Sequence, residues 1–153
     1  MHTLRAALPG VWIGVIGALG FIETPLKFLA PGVTTPIALG IGRLVLTAAD
    51  LLGVALLIAI TIVSLLRPRV PRAGLIALGA LWVVLLAQVA IVRPLLNART
   101  DIILAGGDPG ESALHVVYIV ADLILLVLLV AYLVVIRPRR DAVAGTPGGS
   151  PAT

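Results

Sequence analysis

The sequence contains no cysteine, which excludes disulfides, thiolate metal sites and cysteine-ligated iron–sulfur clusters. It also has little charge: charged residues make up 12% of its 153 residues, whereas hydrophobic residues make up 60%. Soluble domains usually carry about twice that share of charged residues. The composition therefore predicts an integral membrane protein whose first partner is the lipid bilayer.

Histidine and methionine are equally scarce, and this limits the cofactors that the chain could hold. A b-type haem needs two axial ligands, but His2 and His115 are expected on opposite sides of the membrane and Met1 is the only methionine. Zinc held by His115, Asp122 and Glu23 would lack any ligand-spacing motif. We therefore expect no cofactor and no metal.

Nucleophilic catalysis has one weak candidate, formed by Ser112 and His115 with Glu111 nearby. These residues follow Asp108 and Pro109, and together they are typical of the beginning of a helix. The simpler interpretation is structural, so no catalytic residue and no enzymatic activity are predicted.

Four apolar stretches are each long enough to cross a hydrocarbon core of about 30 Å. They predict an all-α membrane protein, a bundle of four transmembrane helices within residues 1–140, with spans at about 6–24, 36–66, 73–93 and 110–136. The first span also has the shape of a signal peptide. Because it has no clean cleavage site and Pro9 suits the first turn of a helix, we expect it to be retained.

Two further segments flank these spans. Residues 94–105 place Arg93, Asn97 and Asp101 four apart, which predicts a short amphipathic helix at the outer interface, bent away from the third span at Pro94. Residues 141–153 are small, polar and rich in proline and glycine, which predicts a disordered cytoplasmic tail.

The net charge of +4 is explained by topology and not by nucleic-acid binding. Seven of the eleven basic residues would share one side of the membrane: Arg5, Arg67, Arg69, Arg72, Arg137, Arg139 and Arg140. The positive-inside rule then places both termini in the cytoplasm. Ten arginines against one lysine, with abundant alanine and valine, are typical of a GC-rich bacterial genome, so a bacterial inner membrane is expected.

The two halves of the chain are similar at a spacing of about 70 residues. "ADLLGVALLIAITIVSLLRPR" from Ala49 is echoed by "ADLILLVLLVAYLVVIRPR" from Ala121, and Pro25 and Pro94 follow equivalent spans. One interpretation is a duplicated two-helix hairpin. Ridges of small residues also run along the first helix (Gly10, Gly14, Gly17) and the third (Ala73, Ala77, Ala80, Ala87). They predict either packing within the monomer or a homodimer face.

Ionisable residues inside the spans form a layer at one depth. At about 1.5 Å per residue, all six lie in the outer third of the bundle: Glu23, Arg43, Asp50, Arg93, His115 and Asp122. Arg43 and Asp50 are seven residues apart, as are His115 and Asp122, so each pair shares one helical face. Because a polar stripe facing lipid is costly, we expect these residues to form a polar cluster, with Gln88 and Tyr118 as neighbours.

Two interpretations of this cluster remain open. The first is structural: the charges neutralise one another and fix the order of the helices in a non-enzymatic accessory or scaffold protein. The second is a small carrier or ligand-binding protein, in which Asp50, Asp122 and His115 form a proton- or cation-responsive site. A carrier with so few helices would need to dimerise.

Several stretches carry a family resemblance: "FIETPLKFLAPGVT", "LGIGRLVLTAADLL", "RPLLNARTDIILAG" and "SALHVVYIVADLI". Together they resemble a group of small bacterial four-helix membrane proteins of unassigned function. More distantly, the proline after the first span, the Arg-Pro after the third and the histidine that opens the fourth are similar to a widespread membrane domain of unknown function. The resemblance implies an acid or amide at Asp50 and an acid at Asp122. A lysine expected one turn later is replaced here by Ile124, Leu125 and Leu126.

Overall fold

The regular secondary structure of this protein is helical. The computed structural model describes residues 2–23, 26, 29–66 and 69–137. Its helices are α1 (His2–Ala18), α2 (Thr35–Leu65), α3 (Arg72–Ala87), α4 (Arg93–Leu104) and α5 (Leu114–Val135). The all-α class is therefore confirmed. The predictions for Pro25, for Lys27 and for the tail at 141–153 fall outside the described residues.

Three helical stretches are long and apolar enough to cross a membrane: Thr35–Leu65, Arg72–Leu104 and Leu114–Val135. The first helix is apolar but shorter. The last of the three begins at Leu114 and not near 110, because Gly110 has a φ of 74° and its N–H donates to the Asp108 carboxylate at 2.8 Å. Because the backbone of Gly110 is left-handed, the helix can begin only after this turn.

A π-helical turn, Gln88–Val92, joins α3 to α4 without a break. Pro94 has no N–H to donate to the carbonyl four residues earlier, and the wider turn accommodates this loss. The Arg93 N–H donates to the Gln88 carbonyl instead. A helix is thus present over Arg93–Leu104, where the sequence predicted one at 94–105, and it follows the preceding helix through the π-helical turn. A second π-helical turn, Leu19–Glu23, follows α1 and also ends two residues before a proline.

The core lies between α1, α2, α3 and α5. Its buried side chains come from all four helices: Trp12, Leu56, Leu57, Ile60, Leu78, Leu81, Leu85, Leu125, Leu129 and Tyr132. By contrast, large apolar side chains such as Leu44 (74%), Leu51 (68%) and Ile76 (73%) are exposed on the outside. A buried core surrounded by an apolar exterior is the arrangement that lipid as a solvent favours.

Arg5 ties the start of α1 to the end of α2. Its buried guanidinium donates to the carbonyl of Val63 at 2.9 Å and to that of Leu66 at 2.8 Å. These carbonyls lie in the last turn of a helix, where no backbone N–H is available to them. The beginning of the chain and the carboxyl end of α2 therefore lie at the same end of the bundle.

Gly53 of α2 lies close to α1, although it was not among the small residues singled out by spacing. A Cβ added there would lie 3.2 Å from Cζ2 of Trp12 on α1. At Gly10, Gly14 and Gly17, an added Cβ would meet no heavy atom of a described residue within 4 Å. The glycine ridge of α1 therefore makes no close helix contact within the described part of the chain.

We expect Gly53→Ala to destabilise the protein by about 1 kcal/mol, because the added methyl group must displace the Trp12 ring. The matched control is Gly79→Ala, a helical site with open space around the added Cβ, which should be neutral or slightly stabilising. Thermal unfolding in detergent, followed by circular dichroism, measures both. Equal shifts in the two variants would contradict the close contact.

Candidate functional site: a buried polar network

The six residues predicted to form a polar cluster lie on four structural elements. Glu23 ends the first π-helical turn, Arg43 and Asp50 are on α2, Arg93 begins α4, and His115 and Asp122 are on α5. Asp50 and Arg93 are buried, His115 is exposed, and the other three are partly buried.

Asp50 is the centre of the network. Its Oδ2 forms a salt bridge with Nε of Arg93 at 3.2 Å, and its Oδ1 accepts a hydrogen bond from the Tyr118 hydroxyl at 2.9 Å. The two charged side chains are 9% and 7% exposed, respectively. The carboxylate therefore links α2 to both α4 and α5, with each of its oxygens engaged.

A second nitrogen of Arg93 also donates to α2. Its Nη2 donates to the carbonyl of Arg43 and to the Thr47 hydroxyl, each at 2.7 Å. Thr47 lies four residues after Arg43, and its hydroxyl also donates to the Arg43 carbonyl at 2.7 Å. This back-bonded threonine presents its oxygen to the guanidinium, so Arg93 is held by one charge and two neutral acceptors.

Asp122 has a different partner from Asp50. Its Oδ1 accepts a hydrogen bond from Nε2 of Gln88 at 2.8 Å, and within the described ranges no basic side chain pairs with it. Gln88 and Arg93 are five residues apart, at the start of the π-helical turn and just after it. Since that spacing is one turn of a π-helix, the turn brings both side chains to the same part of the bundle.

A cavity of about 110 Å³ lies beside this network. Asp50, Gln88, His115, Tyr118 and Asp122 supply its polar wall. Its apolar wall comes from α1, α2, α3 and α5 and includes Trp12, Ile16, Leu46, Leu85 and Leu125. His115, which lies near the beginning of α5, both lines the cavity and is exposed at the surface.

Three of the predicted residues, Glu23, Arg43 and Arg93, do not line this cavity, although Arg93 pairs with Asp50, which does. The Arg43 side chain pairs with Asp101 of α4 and lines a second cavity of about 400 Å³, together with Arg99, Ser112 and His115. The first cavity reaches Leu19 and Gly20 of the same π-helical turn as Glu23, but Glu23 is not one of its lining residues. The structure thus brings Asp50, Arg93, His115 and Asp122 together and gives Arg43 a separate partner.

Three contacts were not expected from the sequence: Thr47 with Arg93, Asp101 with Arg43, and the Tyr118 hydroxyl with Asp50. The first had a usable signal, since Thr47 lies one helical turn from Arg43. Tyr118 was expected as a wall residue, and its position four residues before Asp122 agrees with that. Asp101 could not be paired by sequence, because the helix at 94–105 was expected to lie at the interface, bent away from the third span.

The polar groups of the first cavity suit a small cation that donates hydrogen bonds better than they suit a coordinated metal ion. Within the described ranges, no three histidine or carboxylate side chains are grouped so that they could hold a metal. The cavity instead offers one carboxylate without a basic partner, one amide and a mostly apolar wall. That combination can accept hydrogen bonds from a small positively charged group.

These assignments rest on the geometry of this chain alone. The chain matches no protein-family model and shows significant similarity to no curated protein and to no solved structure.

Proposed function

We propose that this chain is a four-helix integral protein of the bacterial cytoplasmic membrane that acts without catalysis, as an accessory or scaffold subunit. The observation that carries this proposal is the buried Asp50–Arg93 pair. Both carboxylate oxygens, and Nε and Nη2 of the guanidinium, bond to groups on neighbouring helices. Little capacity is left in this pair for a substrate.

This ion pair supports a structural role, because separating Asp50 from Arg93 would leave two unpartnered charges in lipid, which solvates neither. Asp50, Arg93 and Tyr118 come from α2, α4 and α5, so the pair fixes the relative heights of three helices. A slip of one residue moves a side chain by about 1.5 Å along the axis and breaks these contacts. A rigid bundle suits a protein that presents a constant surface to a partner.

The proposal includes α1 as the fourth span. Together with the π-helical turn that follows, α1 covers residues 2–23, which is about the length that a 30 Å core requires. Trp12 packs into the core, and Arg5 contacts the end of α2. Both termini would then be cytoplasmic, as the distribution of arginines indicates.

Because the chain has no cysteine, single cysteine substitutions can test this topology directly. Thr3, Thr34 and Ser112 are all exposed, and each has a side chain close in size to cysteine. In intact cells we expect a membrane-impermeant maleimide to label Thr34→Cys and Ser112→Cys but to label Thr3→Cys only after lysis. Labelling of Thr3→Cys in intact cells would show that α1 does not span.

The accessory role predicts a stable complex. After gentle solubilisation of the tagged protein at its native expression level, we expect one membrane protein, or a second copy of this chain, in fixed stoichiometry by mass photometry and quantitative mass spectrometry. The Asp50→Asn variant should lose this complex because the helix arrangement changes, whereas the surface variant Glu111→Gln should keep it. A monodisperse monomer would contradict the accessory role.

A further inference from the structure

We propose that the cavity beside Asp122 binds a small organic ammonium ion, whose N–H groups are held by the Asp122 carboxylate and the Gln88 carbonyl oxygen. This proposal is independent of the accessory role, because it uses the part of the network that the Asp50–Arg93 pair leaves unsatisfied.

The first argument is charge balance. The buried network contains two carboxylates, Asp50 and Asp122, and one guanidinium, Arg93. Arg43 is neutralised separately by Asp101. With His115 of the cavity wall counted as neutral, one negative charge is left over among these side chains, and it lies on Asp122, whose described side-chain partner is a neutral amide. A bound cation would neutralise it.

The second argument is an unsatisfied acceptor. Gln88 is 2% exposed and lines the cavity. Its Nε2 donates to Asp122, which fixes the orientation of the amide, and its Oε1 has no hydrogen-bond partner among the described residues. The Tyr118 hydroxyl cannot supply that hydrogen, since it donates to Asp50. Buried acceptors are seldom left unpaired, so a donor from a ligand is expected here.

The third argument concerns the class of cation. An ammonium group has several N–H donors, which suit one carboxylate oxygen and one amide oxygen. The rest of the wall is apolar and includes the Trp12 indole, which favours an organic substituent and can attract a positive charge. Both oxygens of Asp50 are already engaged, so few oxygens are left for a bare metal ion, which takes about six. A volume of about 110 Å³ limits the ligand to a few heavy atoms.

The test uses the fluorescence of Trp12. The chain has two tryptophans, so Trp82→Phe leaves Trp12, at the cavity wall, as the only reporter. The protein in non-ionic detergent is titrated with ethylammonium chloride, and sodium chloride at equal ionic strength is the reference. We expect a saturable change with ethylammonium only, and the same dissociation constant by isothermal titration calorimetry.

Two variants locate the site. Asp122→Asn should weaken ethylammonium binding at least tenfold, whereas Glu111→Gln, which removes the same charge from an exposed position, should leave it unchanged. Gln88→Met keeps the size of the side chain but removes the acceptor, and it should also weaken binding. It serves as the second variant if Asp122→Asn does not fold.

Three outcomes would overturn the proposal. One is the lack of a saturable ethylammonium response in the Trp82→Phe protein. Another is an equal response to sodium, which would indicate an alkali ion or screening. The third is a response to pH that ethylammonium does not alter, which would show that Asp122 holds only a proton.

Discussion

Replacing Asp50 by asparagine is expected to lower the free energy of unfolding by about 3–5 kcal/mol. Asparagine has nearly the same shape, so the loss comes from charge and not from packing. It leaves the Arg93 guanidinium buried, 7% exposed, with neutral acceptors and no carboxylate to balance its charge. Unfolding by SDS titration in mixed micelles, followed by circular dichroism, measures the change.

A double-mutant cycle separates the ion pair from general effects. Arg93→Gln should be destabilising by a similar amount, and the Asp50→Asn, Arg93→Gln double variant should be less destabilised than the sum of the two, with a coupling of about 1–3 kcal/mol. Asp122→Asn is the matched control, because it removes a carboxylate without a basic partner. In protein without ligand we expect it to be neutral or stabilising. Additive single effects would show that the pair contributes no coupling.

Trp12→Ala is expected to destabilise the protein by about 3 kcal/mol. Trp12 is 3% exposed, and its ring packs against the backbone of Gly53, so truncation leaves a void between α1 and α2. We place the effect at the low end of the range for tryptophan truncations, because lipid fills part of the space at less cost than water would. The same SDS titration measures it.

The neighbouring residue supplies the control. Val11 precedes Trp12 on α1 and is 54% exposed, so Val11→Ala should change the free energy of unfolding by less than about 0.5 kcal/mol. If this contact holds α1 across the membrane, Trp12→Ala should also make the labelling of Thr3→Cys heterogeneous, with a fraction of the protein labelled by the impermeant maleimide in intact cells. Equal effects of the two substitutions would mean that α1 is not anchored by Trp12.

The depth of each polar residue along its helix could be predicted from the sequence better than the partner of its side chain could. Counting at 1.5 Å per residue placed Asp50, Arg93 and Asp122 at similar levels, and in the structure they lie in one network, because the rise of an α-helix is nearly constant. The pairing of Asp50 with Arg93, and of Asp122 with Gln88, depends on the rotation of each helix. A single sequence contains no direct signal for that rotation.

Close packing was harder to predict than polarity. The periodic glycines of α1 suggested a contact ridge, yet the close approach occurs at Gly53, which stands alone in an apolar run of α2. What makes Gly53 special is the Trp12 ring opposite it, and spacing within one helix cannot identify a partner on another. The π-helical turn before Pro94 could not be predicted either: proline removes one hydrogen bond, and in the structure a wider turn accommodates that loss.

Because of the π-helical turn at Gln88–Val92, the direction in which Arg93 points depends on the number of residues that precede it in this helix. A π turn holds one residue more than an α turn, so side chains after it are rotated by about 100° relative to an uninterrupted helix. Deleting Ala90 would restore the α-helical phase and turn Arg93 away from Asp50, while the Trp82–Thr61 hydrogen bond before the turn would stay in place. The ion pair therefore depends on the extra residue of this turn as well as on the two charged side chains.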